Sequence, residues 1–261
     1  MSHAVVVNGA AGRMGRLVAM ALVRAGCEDV VGCDPGTASP LGLETGPLPL
    51  VDELAAGVAQ GGVVVDFSRA ASTPALARAA QEREARLVVG TTGQSAAELE
   101  ILREASGRVA VVLARNFSYG LNRLLEVLPL LRDLIGNGFD VECLEAHHRG
   151  KADAPSGTAL VLLEALCGPV PAGRQVHGRH GSQALRQPGE VGVHSLRLGQ
   201  VIGEHALFLG SDHEVIEIRH RALDRGAFVT GVIPAVRFVR ARGPGLYTML
   251  DVIRHAETTV A

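Results

Sequence analysis

Short runs of Val, Leu and Ala alternate with longer stretches of helical periodicity through the first half of this 261-residue chain. Such alternation marks βαβ units around a parallel sheet, whose strands, buried on both faces, read as almost unbroken apolar runs. The pattern predicts strands at Val5–Asn8, Asp29–Cys33, Gly62–Phe67, Arg86–Gly90 and Arg108–Leu113. Between them it predicts helices at Gly12–Ala25, Leu50–Ala59, Thr73–Arg83 and Ser95–Ala105.

After Asn116-Phe117-Ser118 the rhythm changes. One long amphipathic helix is expected from about Tyr119 to Ile135, then a strand at Phe139–Ala146 and a helix at Ser156–Leu166. The Gly- and Pro-rich stretch Gly168–Gly189 reads as a long loop, of the kind that is functional or ordered by a partner. Val191–Leu198 and Gln200–Leu209, separated by Gly199, read as a hairpin, and the alternation in Glu214–His220 marks a sheet with one wet face. Phe228–Val239 is helical around Pro234, and the segment Gly245–Ile253 is expected to pack back onto the first domain. The chain is therefore an α/β protein of two domains, residues 1–118 with 228–261, and residues 119–227. The first is a Rossmann-type dinucleotide-binding domain, the second an α+β domain with a mixed open sheet.

Composition narrows the function. With 47% hydrophobic and 20% charged residues and a formal charge of −2, the chain offers no general field for nucleic acid. Tryptophan is absent and aromatics are 3%, which disfavours base-stacking recognition. Cys27, Cys33, Cys143 and Cys167 form no CxxC pair, so neither a metal site nor a disulfide framework is expected. Met1-Ser2-His3 runs directly into an apolar strand, leaving no room for a signal segment, and no apolar stretch reaches the ~18 residues of a membrane span. The expectation is a cytoplasmic protein with neither nucleic-acid nor membrane partners.

Gly9-Ala10-Ala11-Gly12-Arg13-Met14-Gly15 follows a strand and opens a helix, where backbone amides approach a pyrophosphate. Asp34 ends the second strand, 19 residues after Gly15, where a carboxylate accepts ribose hydroxyls. Asp34 repels a 2′-phosphate whereas Arg13 attracts one; the balance favours NADH with NADPH accepted. Gly90-Thr91-Thr92-Gly93 and Ala114-Arg115-Asn116-Phe117-Ser118 also fall at the carboxyl ends of strands, where open α/β sheets bind ligands. Helix capping by Thr92 or Ser95 explains the first of these equally well. Asp66-Phe67-Ser68 is a further candidate for lining the groove.

Among the 25 Lys and Arg residues the single lysine is Lys151, in Glu145-Ala146-His147-His148-Arg149-Gly150-Lys151. A chain that otherwise uses arginine keeps a group that can release a proton, beside two histidines that titrate near neutrality. Asp153-Ala154-Pro155-Ser156-Gly157-Thr158 then begins a helix whose free amides suit a carboxylate. The segment suits a small di-acid that takes up hydride and proton. Arg179 and Arg186, in the long loop, are candidates for a second carboxylate. The remaining histidines, among them His3, His205 and His220, read as structural, with His205 ordering the hairpin or an interface.

This segment closely resembles the signature of the dihydrodipicolinate reductases, also called 4-hydroxy-tetrahydrodipicolinate reductases, of bacterial lysine biosynthesis. The likeness covers nearly the whole chain, with supporting blocks at Gly9–Gly15, Gly90–Gly93, Asn116–Ser118, Gly203–His205 and Gly245–Tyr247. It implies that His147 exchanges a proton, that Lys151 donates one, that His148 contacts substrate, and that Ser156, Gly157 and Thr158 belong to the substrate site. It likewise implies that Gly9, Ala10, Ala11, Gly12, Arg13, Met14, Asp34, Gly90, Thr91, Thr92, Ala114, Arg115, Asn116 and Phe117 hold NADH or NADPH. A homotetramer assembled through the second domain's sheet is implied as well. Two departures stand out: Arg115 replaces a proline common in the family, and Pro35 stands where some relatives carry a basic residue, which weakens any NADPH preference. The alternatives are another NAD-linked imine or amino-acid dehydrogenase, which has no reason to carry His-His-Arg-Gly-Lys before Ser-Gly-Thr, or a regulator that binds NADH without turnover.

Overall fold

A computed structural model describes residues 4–35 and 39–260, apart from the side chains of residues 172 and 257–260; His3 lies outside the described residues. The chain divides into two compact units, residues 1–119 with 225–261, and residues 120–224. The crossing falls after Tyr119 and the return at Arg225.

The first unit begins with strand β1 (Val5–Asn8), helix α1 (Arg13–Arg24) and β2 (Val30–Cys33). A small hairpin of β3 (Leu41–Leu43) and β4 (Gly46–Leu48) leads to β5 (Leu50–Val51) and the single-turn α2 (Leu54–Gly57). Then come β6 (Val63–Asp66), α3 (Thr73–Arg83), β7 (Arg86–Val89), α4 (Ala96–Ser106) and β8 (Ala110–Leu113). The helix expected over Leu50–Ala59 is therefore mostly absent: its first residues add a strand beside β2, and Val58 is already extended.

Helix α5 (Tyr119–Val127) opens the second unit, followed by a 3₁₀ turn at Leu128–Leu131 and α6 (Arg132–Gly136). The single long helix expected here is interrupted because Pro129 lacks an amide to donate and crowds the preceding turn. Strand β9 (Asp140–His147) precedes α7 (Gly157–Cys167) and β10 (Gln175–Val176), and β11 (Val191–Arg197), β12 (Glu204–Gly210) and β13 (Val215–Arg221) complete the unit. On return the chain forms α8 (Val232–Ala241), β14 (Gly245–Tyr247) and α9 (Met249–Val260).

The first unit's sheet has the order β14-β8-β7-β6-β1-β2-β5, and every pairing is parallel. Alternate residues feed two cores. Val5, Val7, Val63 and Val65 pack under α1, α8 and α9, while Val6, Val64, Leu87 and Val111 pack under α2, α3 and α4. Each fully buried Val or Leu contributes roughly 1.5–3 kcal/mol relative to exposure, which offsets the loss of chain freedom. The strand order reverses between β1 and β6, the place where such sheets open a ligand crevice.

The second sheet is mixed, with the order β10-β11-β9-β12-β13. Strand β11 runs parallel to β9, and β12 runs antiparallel to both β9 and β13. The expected hairpin of β11 with β12 is thus wrong: β9 lies between them, and the true hairpin is β12 with β13. The connection after β11 instead passes the end of β9, where the Leu198 amide donates to the His147 carbonyl at 3.0 Å. Alternation marks a strand and its faces but not its partner, so the pattern fitted either arrangement.

Candidate active site

A cleft of ≈ 750 Å³ opens at the carboxyl ends of β1, β2 and β6. Gly9, Ala11, Gly12 and Asp34 line it, together with Phe67, Ser68, Arg69, Asp52, Glu53 and Arg78. The turn is compact because its glycines leave no room for side chains. A Cβ on Gly15 would lie 2.1 Å from the Gly9 carbonyl oxygen, and one on Gly9, whose φ is +78°, would meet the Phe67 carbonyl at 2.8 Å. Asp34 Oδ2 accepts the Ala11 amide at 2.7 Å, tying the second strand to the turn. This cradle, closed to side chains and open to a ligand at the start of α1, fits a dinucleotide.

Other predicted cofactor residues are placed differently. Ala10, Met14 and Ala114 belong to or pack against the core under α1 and α8, and Arg13 is exposed at the start of α1. Gly90 lets the Phe67 ring approach, since a Cβ there would sit 2.5 Å from it. Thr91 is buried, and Ser95, not Thr92, caps α4, in a reciprocal pair with Glu98. Phe117 is a core residue whose carbonyl accepts the Gly231 amide at 2.8 Å, and Asn116 Oδ1 accepts the Ser118 amide at 2.7 Å. The Phe117 ring is therefore committed to the core and its carbonyl to Gly231.

In the second unit, β9 alternates between a covered face and an open one. Glu145 and His147, two residues apart, share a face. Glu145 is fully buried, and its carboxylate takes Arg197 at 2.7 and 2.9 Å, the Ser156 amide at 3.2 Å and His147 Nδ1 at 2.5 Å. Burial alone would raise the Glu145 pKa; the hydrogen bonds led by Arg197 outweigh it and hold the value at about 2. His147 is lowered from its ordinary value, mainly by burial, against the pull of Glu145. Lys151 Nζ donates to Asp153 Oδ1 at 2.8 Å, and Arg197 donates to the Asp153 carbonyl at 2.5 Å, so one guanidinium braces both Glu145 and the loop after Lys151.

Ser156 caps α7, its hydroxyl accepting the Ala159 amide at 3.2 Å. Gly157 and Thr158 form the first turn, where backbone amides lack partners within the helix and the dipole favours an anion. His148 is half-buried just beyond β9. The structure therefore gathers Glu145, His147 and Ser156 directly, with Lys151 close enough that its charge helps to lower His147.

Two further side chains join this set without a sequence signal that marks them. Arg197 lies 52 residues from Glu145 in sequence and carries no local signal. His205, whose place in the sequence suggests ordering of a hairpin or interface, is buried, 3.1 Å from Ser156 Oγ through Nε2, with its ring 5.2 Å from that of His147. Arg179 and Arg186 are bound by the protein's own carboxylates. Arg179 reaches Glu142 at 2.8 Å and Glu190 at 3.1 Å, and Arg186 pairs with Glu142 and with Asp140 at 2.8 Å, anchoring the long loop to β9.

Known proteins resemble this chain over nearly its whole length. Residues 3–117 match the model of the dihydrodipicolinate reductase N-terminus, and residues 120–253 that of its C-terminus. The chain belongs to the dihydrodipicolinate reductase family. A 4-hydroxy-tetrahydrodipicolinate reductase of Burkholderia cenocepacia is 38% identical over 263 residues, covering 95% of this chain and 98% of the relative. One of Burkholderia ambifaria is 38% identical over 261 residues with the same coverage. Among solved structures, a dipicolinate-bound dihydrodipicolinate reductase from Paenisporosarcina has the same fold, with a TM-score of 0.72 at 22% identity over 95% of this chain and 98% of its own. The first unit of this family member is accordingly a dinucleotide-binding fold. Among the described residues no helix is long and apolar enough to cross a membrane.

Proposed function

We infer that this chain reduces 4-hydroxy-tetrahydrodipicolinate to tetrahydrodipicolinate at the expense of a reduced nicotinamide, a step toward diaminopimelate and lysine. The observation that carries this reading is the joining of Glu145, His147 and the Ser156 cap of α7 in one hydrogen-bonded set, with Lys151 beside it. The names of the relatives support the same substrate.

A bound reduced nicotinamide supplies the hydride. The chain's own groups do the rest. The first-turn amides at Gly157 and Thr158, with the Ser156 hydroxyl, hold one carboxylate of the di-acid, and His148 contacts the substrate nearby. Lys151 donates the proton that quenches charge developing along the conjugated imine, and His147 exchanges the second proton needed as the hydrated substrate loses water. The first unit serves the cofactor and the second the substrate.

NADH is the favoured cofactor and NADPH is accepted. Support comes from the cleft, where Asp34, Asp52 and Glu53 oppose a 2′-phosphate and Arg69 and Arg78 only partly compensate. The chain assembles as a homotetramer through the open face of the second sheet, which presents Leu144, Leu196 and Phe208 with Val215, the last 66% exposed. Sedimentation that finds a stable monomer at micromolar concentration contradicts the assembly.

The direct test follows nicotinamide absorbance with freshly generated 4-hydroxy-tetrahydrodipicolinate and each cofactor in turn. Oxidation that requires the di-acid is expected with both cofactors, faster with NADH. No di-acid dependence with either cofactor would refute the reaction.

A further inference from the structure

Glu145 presents a problem that stability alone does not solve. Removing a carboxylate from water costs several kcal/mol, and replacing a buried ion pair with packed apolar groups is often neutral or stabilising. Yet Glu145 sits at 0% exposure in the middle of a sheet, with Arg197 as its bidentate partner. The third partner gives the reason. Its Oε2 lies 2.5 Å from His147 Nδ1, and its Oε1 takes the Ser156 amide.

A carboxylate hydrogen-bonded to one ring nitrogen only accepts, so the proton of a neutral imidazole must sit on that nitrogen. We propose that Glu145 is a positioning residue that fixes His147 as the Nδ1–H tautomer, making Nε2 the atom that exchanges a proton with the substrate. The role rests on the reaction inferred above, but the tautomer itself does not. Arg197 completes the device: it cancels the carboxylate's charge, so the ring is oriented without being locked as imidazolium. His205, packed edge-on against His147, bounds the ring on another side.

A purely structural Glu145 would serve only to hold Arg197 and Ser156. Glu145→Gln separates the two roles. The amide oxygen, in the place of Oε1, still accepts from Ser156 and from one Arg197 nitrogen, while the amide nitrogen, in the place of Oε2, gives up the second Arg197 bond, donates to Nδ1 and drives the ring proton to Nε2. Nitrogen-15 NMR of labelled histidine reads the tautomer directly, at a pH where His147 is neutral. The expected result is Nδ1–H in the native chain and Nε2–H in Glu145→Gln.

With the tautomer reversed, kcat should fall by about 10²-fold or more, while the dissociation constant of the probe dipicolinate changes by less than about 3-fold. In a His147→Ala background Glu145→Gln should add no further loss, because a residue acting through another has nothing left to position. An Nε2–H native tautomer overturns the proposal without any variant, which covers the case in which Glu145→Gln does not fold. An unchanged tautomer in the variant, or an additive loss in the double variant, overturns it as well. If the native chain fails to turn over the di-acid while the tautomer still reverses, the reaction fails and the positioning stands.

Discussion

His205 Nε2 lies 3.1 Å from the Ser156 hydroxyl, so a buried imidazole holds the cap of the helix whose first turn offers its amides to an anion. Burial foremost, then the neighbouring His147 and His220, pushes the His205 pKa down to about 3. The unfolded chain binds that proton near pH 6.5 and the folded chain does not, so stability is intact above pH 6.5 and drains away as the pH falls toward 3. Urea titrations of the native chain should show a loss of about 1.4 kcal/mol per pH unit from this one group between pH 6 and 4. His205→Asn should flatten that slope, and an unchanged slope would argue against a buried neutral ring.

Lys151→Ala should lose most of its kcat while retaining much of its affinity for dipicolinate. Lys151→Arg should not recover turnover, since a guanidinium keeps its proton at working pH. Steady-state kinetics on the two variants decide the matter; an active Arg variant would remove Lys151 from proton donation.

His147 is lowered below its ordinary value, mainly by burial, and is thus neutral in the free protein at pH 7. The acid limb of the kcat/KM profile should therefore lie below pH 6.5. His147→Ala should slow turnover by about 10²-fold or more and erase that limb. A variant with the limb intact would assign it to another group.

Asp34→Ser removes one of three carboxylates lining the cleft near the glycine turn. The ratio of kcat/KM for NADPH to that for NADH should rise by about 10-fold, equivalent to about 1.4 kcal/mol. A ratio that stays constant would place the discrimination elsewhere, with Asp52 and Glu53 the next residues to vary.

Gly15→Ala brings a methyl to 2.1 Å from the Gly9 carbonyl oxygen and 2.7 Å from its carbon, both backbone atoms that cannot swing aside. The variant should lose about 1–3 kcal/mol of stability and bind NADH poorly. Gly12→Ala meets the same oxygen at 3.1 Å and should be milder. Thermal melts of the two variants test the order.

Much of the first unit was legible because its strands are apolar on both faces. Val5–Asn8 is found with the predicted bounds, and the strands at Val30, Val63, Arg86 and Ala110 lie within a residue or two of them. What escaped was either short or distant. Strands of two or three residues, such as β5 and β14, carry no period, and their place is decided by the sheet edge they complete. The pairing of β11 with β9 was invisible because alternation is indifferent to neighbours. The lone lysine drew attention to the chemical segment and Glu145 was part of that string, but its purpose emerges only when Arg197 and Ser156 are brought to it. Arg179 and Arg186 pair with Glu142, and an arginine in a loop looks the same in sequence whether its carboxylate belongs to a substrate or to the protein itself.

The alternation of β9 has an evolutionary edge. Glu145 and His147 point one way, Glu142 and Leu144 the other, and the side chain of Glu142 lies so close over Gly192 that a Cβ there would collide with it. Inserting or deleting one residue in this strand would turn Glu145 and His147 outward and the loop-anchoring carboxylate inward in a single event. The strand is therefore a poor place for lineages to experiment, and length variation among descendants of this sequence should collect in the connections after Gly168 and Leu198 instead.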